Sequence, residues 1–160
     1  MIRPFSDADR PGMIALYRAA WHAAYDTIDG ADAIERLIAC QLFGGNPAMF
    51  DLMPGDAALV AERDGAIIGG IRGHPRDGIV HLSGMYVVPE LQRSGVGQAL
   101  LADLLAKFPG AKAFQADVRP TSTSALQFYE RHGFQRCGTG RADAGGGHWV
   151  DMIEMRRTLA

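Results

Sequence analysis

The run Val87-Val88-Pro89-Glu90-Leu91-Gln92-Arg93-Ser94-Gly95-Val96-Gly97-Gln98 joins an apolar strand end to a proline and then to Q-x-x-G-x-G at a helix entrance. Glycines two apart let the backbone come close to a ligand, because no Cβ stands between the amides and the bound oxygens. A helix at that point leaves its first N–H groups unpaired and brings the positive end of its dipole to the same place. The run therefore reads as a socket for a diphosphate, the alternative being a tight strand-to-helix turn that binds nothing. The dinucleotide fingerprint is excluded because Leu100 stands where its third glycine is needed. A Walker loop is excluded because Gln98-Ala99, not Lys followed by Ser or Thr, come after Gly97.

The elements that must position this run are legible from spacing. Val96, Leu100, Leu101, Leu104, Leu105 and Phe108 form one apolar helical stripe that should stop near Pro109-Gly110. Upstream, the β-prone run from Ile79 to Val88 follows the turn signal Arg76-Asp77-Gly78. Ile2-Arg3-Pro4 predicts a first strand, and Ser6-Asp7 an N-cap for a helix through Met13, Leu16, Tyr17 and Ala20. A second helix is expected from Ala31 to Phe43, broken by Gly44-Gly45-Asn46-Pro47, with a loop to Gly55. Arg63-Asp64-Gly65 should turn a hairpin between Ala57–Glu62 and Ala66–Ile71. Ala113 to Val118 then reads as a strand and Ser122 to His132 as a helix. Phe134 to Thr139 and His148 to Arg156 should be closing strands around Gly145-Gly146-Gly147. Strand, helix, strand, helix in the middle favours a parallel pair inside a mixed sheet covered by helices.

The motif resembles the acetyl-CoA site of the GNAT N-acetyltransferases, V-x-P-x-x-[QR]-x-x-G-x-[GA]. The segment from Ser122 to Phe134, with Ala125, Tyr129 and Gly133-Phe134, is similar to the family's later N-x-x-A-x-x-x-Y-x-x-x-G-F helix, with Ser122 in place of Asn. The resemblance implies an α/β fold: a central mixed, mostly antiparallel sheet flanked by helices, whose central parallel strands splay apart to admit the acetyl-pantetheine arm. It also implies one N-acetyltransferase domain over 1–160, with acetyl-CoA as cosubstrate and a primary amine as acceptor.

On that resemblance the cofactor is held by Met85, Tyr86, Val87, Gln92, Arg93, Ser94, Gly95, Val96, Gly97, Gln98, Ser122 and Tyr129. The backbone N–H of Met85 would meet the thioester oxygen and that of Val87 the pantetheine arm, while their side chains pack as core. Backbone donors fixed in place are worth a factor of about 100 or more in rate. Tyr129 occupies the position whose phenol protonates the departing sulfur; helix-face packing is its alternative. His81 stands where histone-type enzymes of the family carry a catalytic Glu and aralkylamine-type enzymes a His. An imidazole titrates near neutral pH, so His81 is the candidate base, with a surface histidine as the plain reading. His74, Glu62 and His22 are weaker candidates, and Trp21, Tyr25 and Phe50 either line an acceptor pocket or fill the core. Ser122 keeps an N-cap role but offers a shorter polar group than Asn. Arg93 either adds charge at the phosphates or is a solvated loop residue, and Arg119 reaches the acceptor, the coenzyme or neither.

Composition agrees with an ordinary globular enzyme: 160 residues at 48% hydrophobic content exclude disorder, and a net charge of −2 carries no bias toward nucleic acid. No apolar run is long enough to span a membrane, and Met1-Ile2-Arg3-Pro4 lacks a signal-peptide segment, so a soluble cytoplasmic protein is expected. Cys40 and Cys137 lack metal-ligand spacing, so no metal is expected and both read as buried small apolar residues. A small-molecule amine is the expected partner, with no nucleic acid or membrane and a homodimer left open. Acetylation of a protein N-terminus or lysine, and a non-catalytic acyl-CoA-binding sensor, are the alternatives.

Overall fold

The computed structural model describes residues 1–39, 51–143 and 147–159. In chain order the elements are β1 (Ile2–Pro4), α1 (Arg10–Asp29), α2 (Ala31–Ile38), β2 (Ala57–Arg63), β3 (Ala66–Arg76), β4 (Ile79–Val87), α3 (Val96–Leu105), β5 (Ala113–Val118), α4 (Thr123–Arg131), β6 (Gln135–Asp143) and β7 (Trp149–Thr158). The described strands form one seven-stranded sheet in the order β1-β2-β3-β4-β5-β7-β6. Only β4 and β5 run parallel among these neighbours. The expected mixed, mostly antiparallel sheet with a central parallel pair is therefore present.

The chain enters α1 through a 3-10 turn, Asp7–Asp9, closed by a reciprocal capping box between Ser6 and Asp9. The Arg3 guanidinium forks onto both Asp9 oxygens at 2.8 Å and reaches Glu62 Oε2 at 2.6 Å. Hydrogen bonds from Arg3 outweigh burial and hold the Asp9 carboxyl down to about 2, so this knot of β1, β2 and the α1 entrance stays charged at working pH. Glu62 is thus a structural partner of Arg3, not a free base.

Both tight hairpins use a left-handed pair: Asp64 and Gly65 have φ of 51° and 78°, and Asp77 and Gly78 have 52° and 82°. That geometry matches the strand twist of two-residue hairpins. The sheet carries α3 and α4 on one face over Leu82, Leu100, Leu104, Phe114, Leu126 and Met155. On the other face α1 and α2 enclose Met13, Leu16, Tyr17, Trp21, Ile34 and Val60.

Two irregularities in β4 shape the centre. Between the pairs Gly70↔Tyr86 and Arg72↔Ser83, one β3 residue opposes two of β4, a bulge at Gly84-Met85. Gly84 has φ +58°, and a Cβ there would overlap the Tyr17 hydroxyl. The bulge inverts the alternation of the strand: Val80 and Leu82 face α3, and so do Met85 and Val87, whereas Tyr86 and Val88 face α1. By the same alternation His81 and Ser83 face α1. Parallel pairing of β4 with β5 runs only from Ile79↔Ala113 to Leu82↔Ala116, although both strands continue. The two strands part where the bulge begins.

Several expectations need correction. Helix α3 ends at Leu105, short of Phe108, because turn bonds from Lys107 and Phe108 to Leu104 and Leu105 tighten its last turn. Ser122 stands at the N-cap of α4 but its hydroxyl makes no capping bond; only its carbonyl accepts, from the Leu126 N–H. Cys137 is exposed on the edge strand β6 and free, not buried. The second helix is described to Ile38, and Cys40, the Phe43 end, the Gly44–Pro47 break and Phe50 lie outside the described residues, as do Gly145 and Gly146.

Gly84→Ala should destabilise the protein by about 2 to 4 kcal/mol, adding left-handed strain to a collision with Tyr17. Denaturant titration checks this, and a loss under 0.5 kcal/mol would mean the bulge does not need glycine.

Candidate functional site

Where β5 leaves β4, the β4 edge is open. The Val88 N–H donates to Ile68 O at 2.9 Å, so Val88 and Tyr86 are the residues that bond β3. By antiparallel alternation the N–H and C=O groups of Val87, and two residues back of Met85, turn to the opposite edge. Their side chains form the floor of a cleft of about 630 Å³ between α3 and α4. Ligand clefts are commonly about 300–1,000 Å³.

The rim of the cleft is the glycine loop. A 3-10 turn, Pro89–Leu91, follows β4, and the Ser94 hydroxyl donates to Leu91 O at 2.5 Å. Arg93 and Gly95 are left-handed at φ +64° and +92°. The first α3 bond runs from Ala99 N–H to Gly95 O, which leaves the amides of Val96, Gly97 and Gln98 without a helical acceptor. Gly95 is needed for its φ, since its Cβ would meet open space. Gly97 is needed for close packing: its Cβ would stand 3.1 Å from Met85 Cε and 3.5 Å from the Phe128 ring. Arg93 sits on the loop side of the cleft, and Arg131 and His132 on the α4 side.

Tyr129 lines the same cleft and is buried, edge-on to Phe134 and Phe128 at 5.1 and 5.4 Å between centroids. Burial pushes its phenol well above the ordinary range, so the proton stays on at any working pH. Across the gap, burial first and then the phenols of Tyr25 and Tyr17 raise Tyr86, with Tyr129 contributing from the opposite side of the sheet.

On the α1 face, His81 lies between His74 of β3 and Gln115 of β5. Gln115 accepts from Arg156 Nε and Nη2 at 3.1 and 2.5 Å. Arg119, just past β5, bonds Asp29 at 2.8 Å and lies 4.5 Å above the Tyr25 ring, clamping the end of α1. Trp21 is core, packed on Tyr17 and Tyr86. His22 bridges Asp26 and Glu35 at 2.7 and 2.6 Å, and these carboxylates, Glu35 foremost, raise its pKa. It ties α1 to α2.

Of the residues expected from the motifs, Met85, Val87, Gln92, Arg93, Gly95, Gly97, Gln98 and Tyr129 meet in the cleft. Ser94 turns its hydroxyl back onto Leu91, the Val96 side chain packs into the core, and the Tyr86 side chain faces α1. Ser122 stands at the α4 entrance and His81 on the other face, neither among the lining residues. Phe128 and Arg131 are further lining residues. The three- and four-residue spacing of Ser124, Ala125, Phe128, Arg131 and His132 was the signal for them.

A model of the Acetyltransferase (GNAT) family matches residues 11–134. No curated protein matches significantly. Among solved structures, the PaiA N-acetyltransferase of Thermoplasma acidophilum in complex with coenzyme A is 22% identical, with a TM-score of 0.78 over 99% of this chain and 98% of that one. The ribosomal-protein-alanine N-acetyltransferase of Brucella melitensis is 25% identical, with a TM-score of 0.69 over 99% of each chain. A GNAT-family acetyltransferase of Staphylococcus aureus is 18% identical, with a TM-score of 0.76 over 100% and 99%.

Gly97→Val should weaken coenzyme A binding by about tenfold or more, by driving a branched side chain into Met85 and Phe128 and displacing the loop amides. Calorimetric titration checks it, with thermal melting to confirm the fold. Unchanged affinity in a folded variant would remove the socket.

Proposed function

The chain belongs to the Acetyltransferase (GNAT) family, and from that premise we propose that it moves an acetyl group from acetyl-CoA to a small primary amine by direct attack in a ternary complex. The observation that carries this reading is the early end of the β4–β5 pairing, which leaves the β4 edge open beside the cleft on the α3 and α4 face. A thioester arm laid along β4 would bring its carbonyl to that opening. The neutral amine would then approach from the α1 side. Among the described residues the whole arrangement reads as one acetyltransferase domain.

The diphosphate is assigned to the amides of Gly95, Val96, Gly97 and Gln98, with Gln92 and Ser94 shaping the loop and Arg93 adding charge. Tyr86 contributes by holding β4 from the α1 side, and Ser122 by starting α4. The Val87 amide holds the pantetheine arm. The Met85 N–H, turned to the open edge, is assigned to the oxygen that gains charge as the amine attacks. As the tetrahedral intermediate collapses, the C–S bond breaks, the Tyr129 phenol gives its proton to the sulfur, and the second proton lost by the nitrogen as it becomes an amide restores the phenol through water. His81 takes the proton that the acceptor ammonium must lose before it can attack.

The Arg119–Asp29 clamp narrows the α1 face beside β5 and favours a compact amine. Acetylation of a protein N-terminus is the second reading, favoured by likeness to the ribosomal-protein-alanine N-acetyltransferase of Brucella melitensis. A free, exposed Cys137 suits a reducing compartment and supports a cytoplasmic setting. The described helices include none long and apolar enough to cross a membrane.

Thiol release from acetyl-CoA with amines and alanyl peptides tests the proposal and separates the two acceptor classes; binding without release would identify a sensor. Tyr129→Phe should keep coenzyme affinity and melting temperature while kcat falls by about tenfold or more. Equal turnover would return Tyr129 to packing. His81→Gln should flatten or move the acidic limb of kcat/KM with two acceptors of different pKa, leaving acetyl-CoA binding intact. A native limb for both would dismiss His81 as the base.

A further inference from the structure

The α1 face carries a buried acid that the mechanism so far does not use. The Asp56 side chain is 0% exposed, just before β2. Its Oδ1 receives His74 Nδ1 at 2.5 Å, its Oδ2 receives Arg72 Nη2 at 2.5 Å, and the Met53 N–H adds a third bond at 3.0 Å. Burial alone would raise this carboxyl, but the bonds from His74, Arg72 and Met53 hold it below the usual range, so it is ionised. An ionised carboxylate only accepts, which places a proton on His74 Nδ1, so that in the neutral ring Nε2 keeps its lone pair. The His74 side chain is 45% exposed. Such a carboxylate–imidazole pair fixes the tautomer and the ring orientation.

His74 is also the direct cross-strand partner of His81. Directly opposed residues on one face have Cβ atoms about 4.5–5.5 Å apart, so two imidazoles there stand close enough for one water to bridge them. The charged and titratable groups around the pair on this face are Asp56, Arg72, Tyr17 and, beyond Gln115, Asp117, Glu154 and Arg156. Of these only Asp56 bonds His74.

We propose that His74, oriented by buried Asp56, is the positioning residue that receives the acceptor's proton from His81 and delivers it to solvent. The inference rests on the acetyltransferase reading and on His81 as its base. In the step, an acceptor N–H bond breaks and an N–H bond forms on His81. The His81 imidazolium passes its proton to His74 Nε2, giving an imidazolium paired with the Asp56 carboxylate. That Nε2 proton then leaves to water, and both rings return to neutral.

The test has one readout that needs no acceptor. Histidine ring resonances of the full chain are followed by NMR through a pH titration in the native protein, His74→Gln and Asp56→Asn. The native His74 should show the Nδ1–H tautomer, and His74→Gln should displace the His81 midpoint by about 0.3 pH units or more, because adjacent imidazoles titrate together. Identical His81 titration in native and variant protein would overturn the relay. The second readout is thiol release with phenethylamine and with an alanyl peptide. His74→Gln should lower kcat about tenfold with KM for the acceptor nearly unchanged, move the acidic limb, and recover in part on adding free imidazole. Native kcat and limb in that variant would overturn it as well. If the native protein releases no thiol with either acceptor, the acetyltransferase reading fails and the His81 titration alone decides the coupling. Should His74→Gln fold poorly, His74→Asn takes its place in both readouts.

Discussion

The site depends on the short pairing of β4 with β5, which ends at Leu82 and Ala116. Two strands that stayed bonded would seal the sheet and separate its two faces. The bulge at Gly84-Met85 prevents this by turning Met85 and Val87 to the α3 face and directing their backbone groups to an edge that β5 has left. The bulge in turn requires a residue without Cβ, because the Tyr17 hydroxyl occupies that space. A helix residue on one face thus sets the backbone that serves the cleft on the other.

The remaining ionic contacts keep the helices registered to that opening. Arg3 joins the α1 entrance to β2, His22 and Arg18 join α1 to Glu35 of α2, and Arg119 joins the end of β5 to Asp29 at the end of α1. A solvent-exposed pair such as Arg18–Glu35 contributes little, about 0 to 1 kcal/mol, whereas Arg119–Asp29 is half-buried. Arg3–Asp9 is different, because Asp9 is buried and receives two guanidinium bonds together with the Ser6 N–H. Orientation of α1, more than stability, is what these bonds supply.

Much of this was legible in the sequence for simple reasons. The glycine spacing at Gly95 and Gly97, the two Asp-Gly hairpins and the apolar stripe of α3 are local signals, and each element formed where its signal lay. The cleft lining on α4 follows the helical period from Ser124 to His132. What sequence could not supply was partnership over distance. Glu62 and His22 looked like free titratable groups until Arg3, Asp26 and Glu35 appeared beside them. Cys137 looked apolar but falls on an edge strand, and the reason for Gly84 lies in Tyr17, 67 positions away. Asp56 carried no motif at all, since its burial and its bond to His74 exist only once β3 folds over it.

Acetyl transfer to an amine makes two demands on protons, and the proposed mechanism assigns them to opposite faces of the sheet. An ammonium acceptor and a thioester become an amide, a thiol and one surplus proton. In that mechanism the thiolate would leave on the cleft face, where a phenol whose acidity is suppressed by burial still holds its proton and stands without a competing hydrogen bond among the described residues. The surplus proton would arise on the α1 face, where imidazoles stand near a carboxylate already ionised and satisfied. On that reading the parting of β4 from β5 would bring the reacting atoms together, while the sheet on either side of the gap would hold donor and acceptor on separate faces.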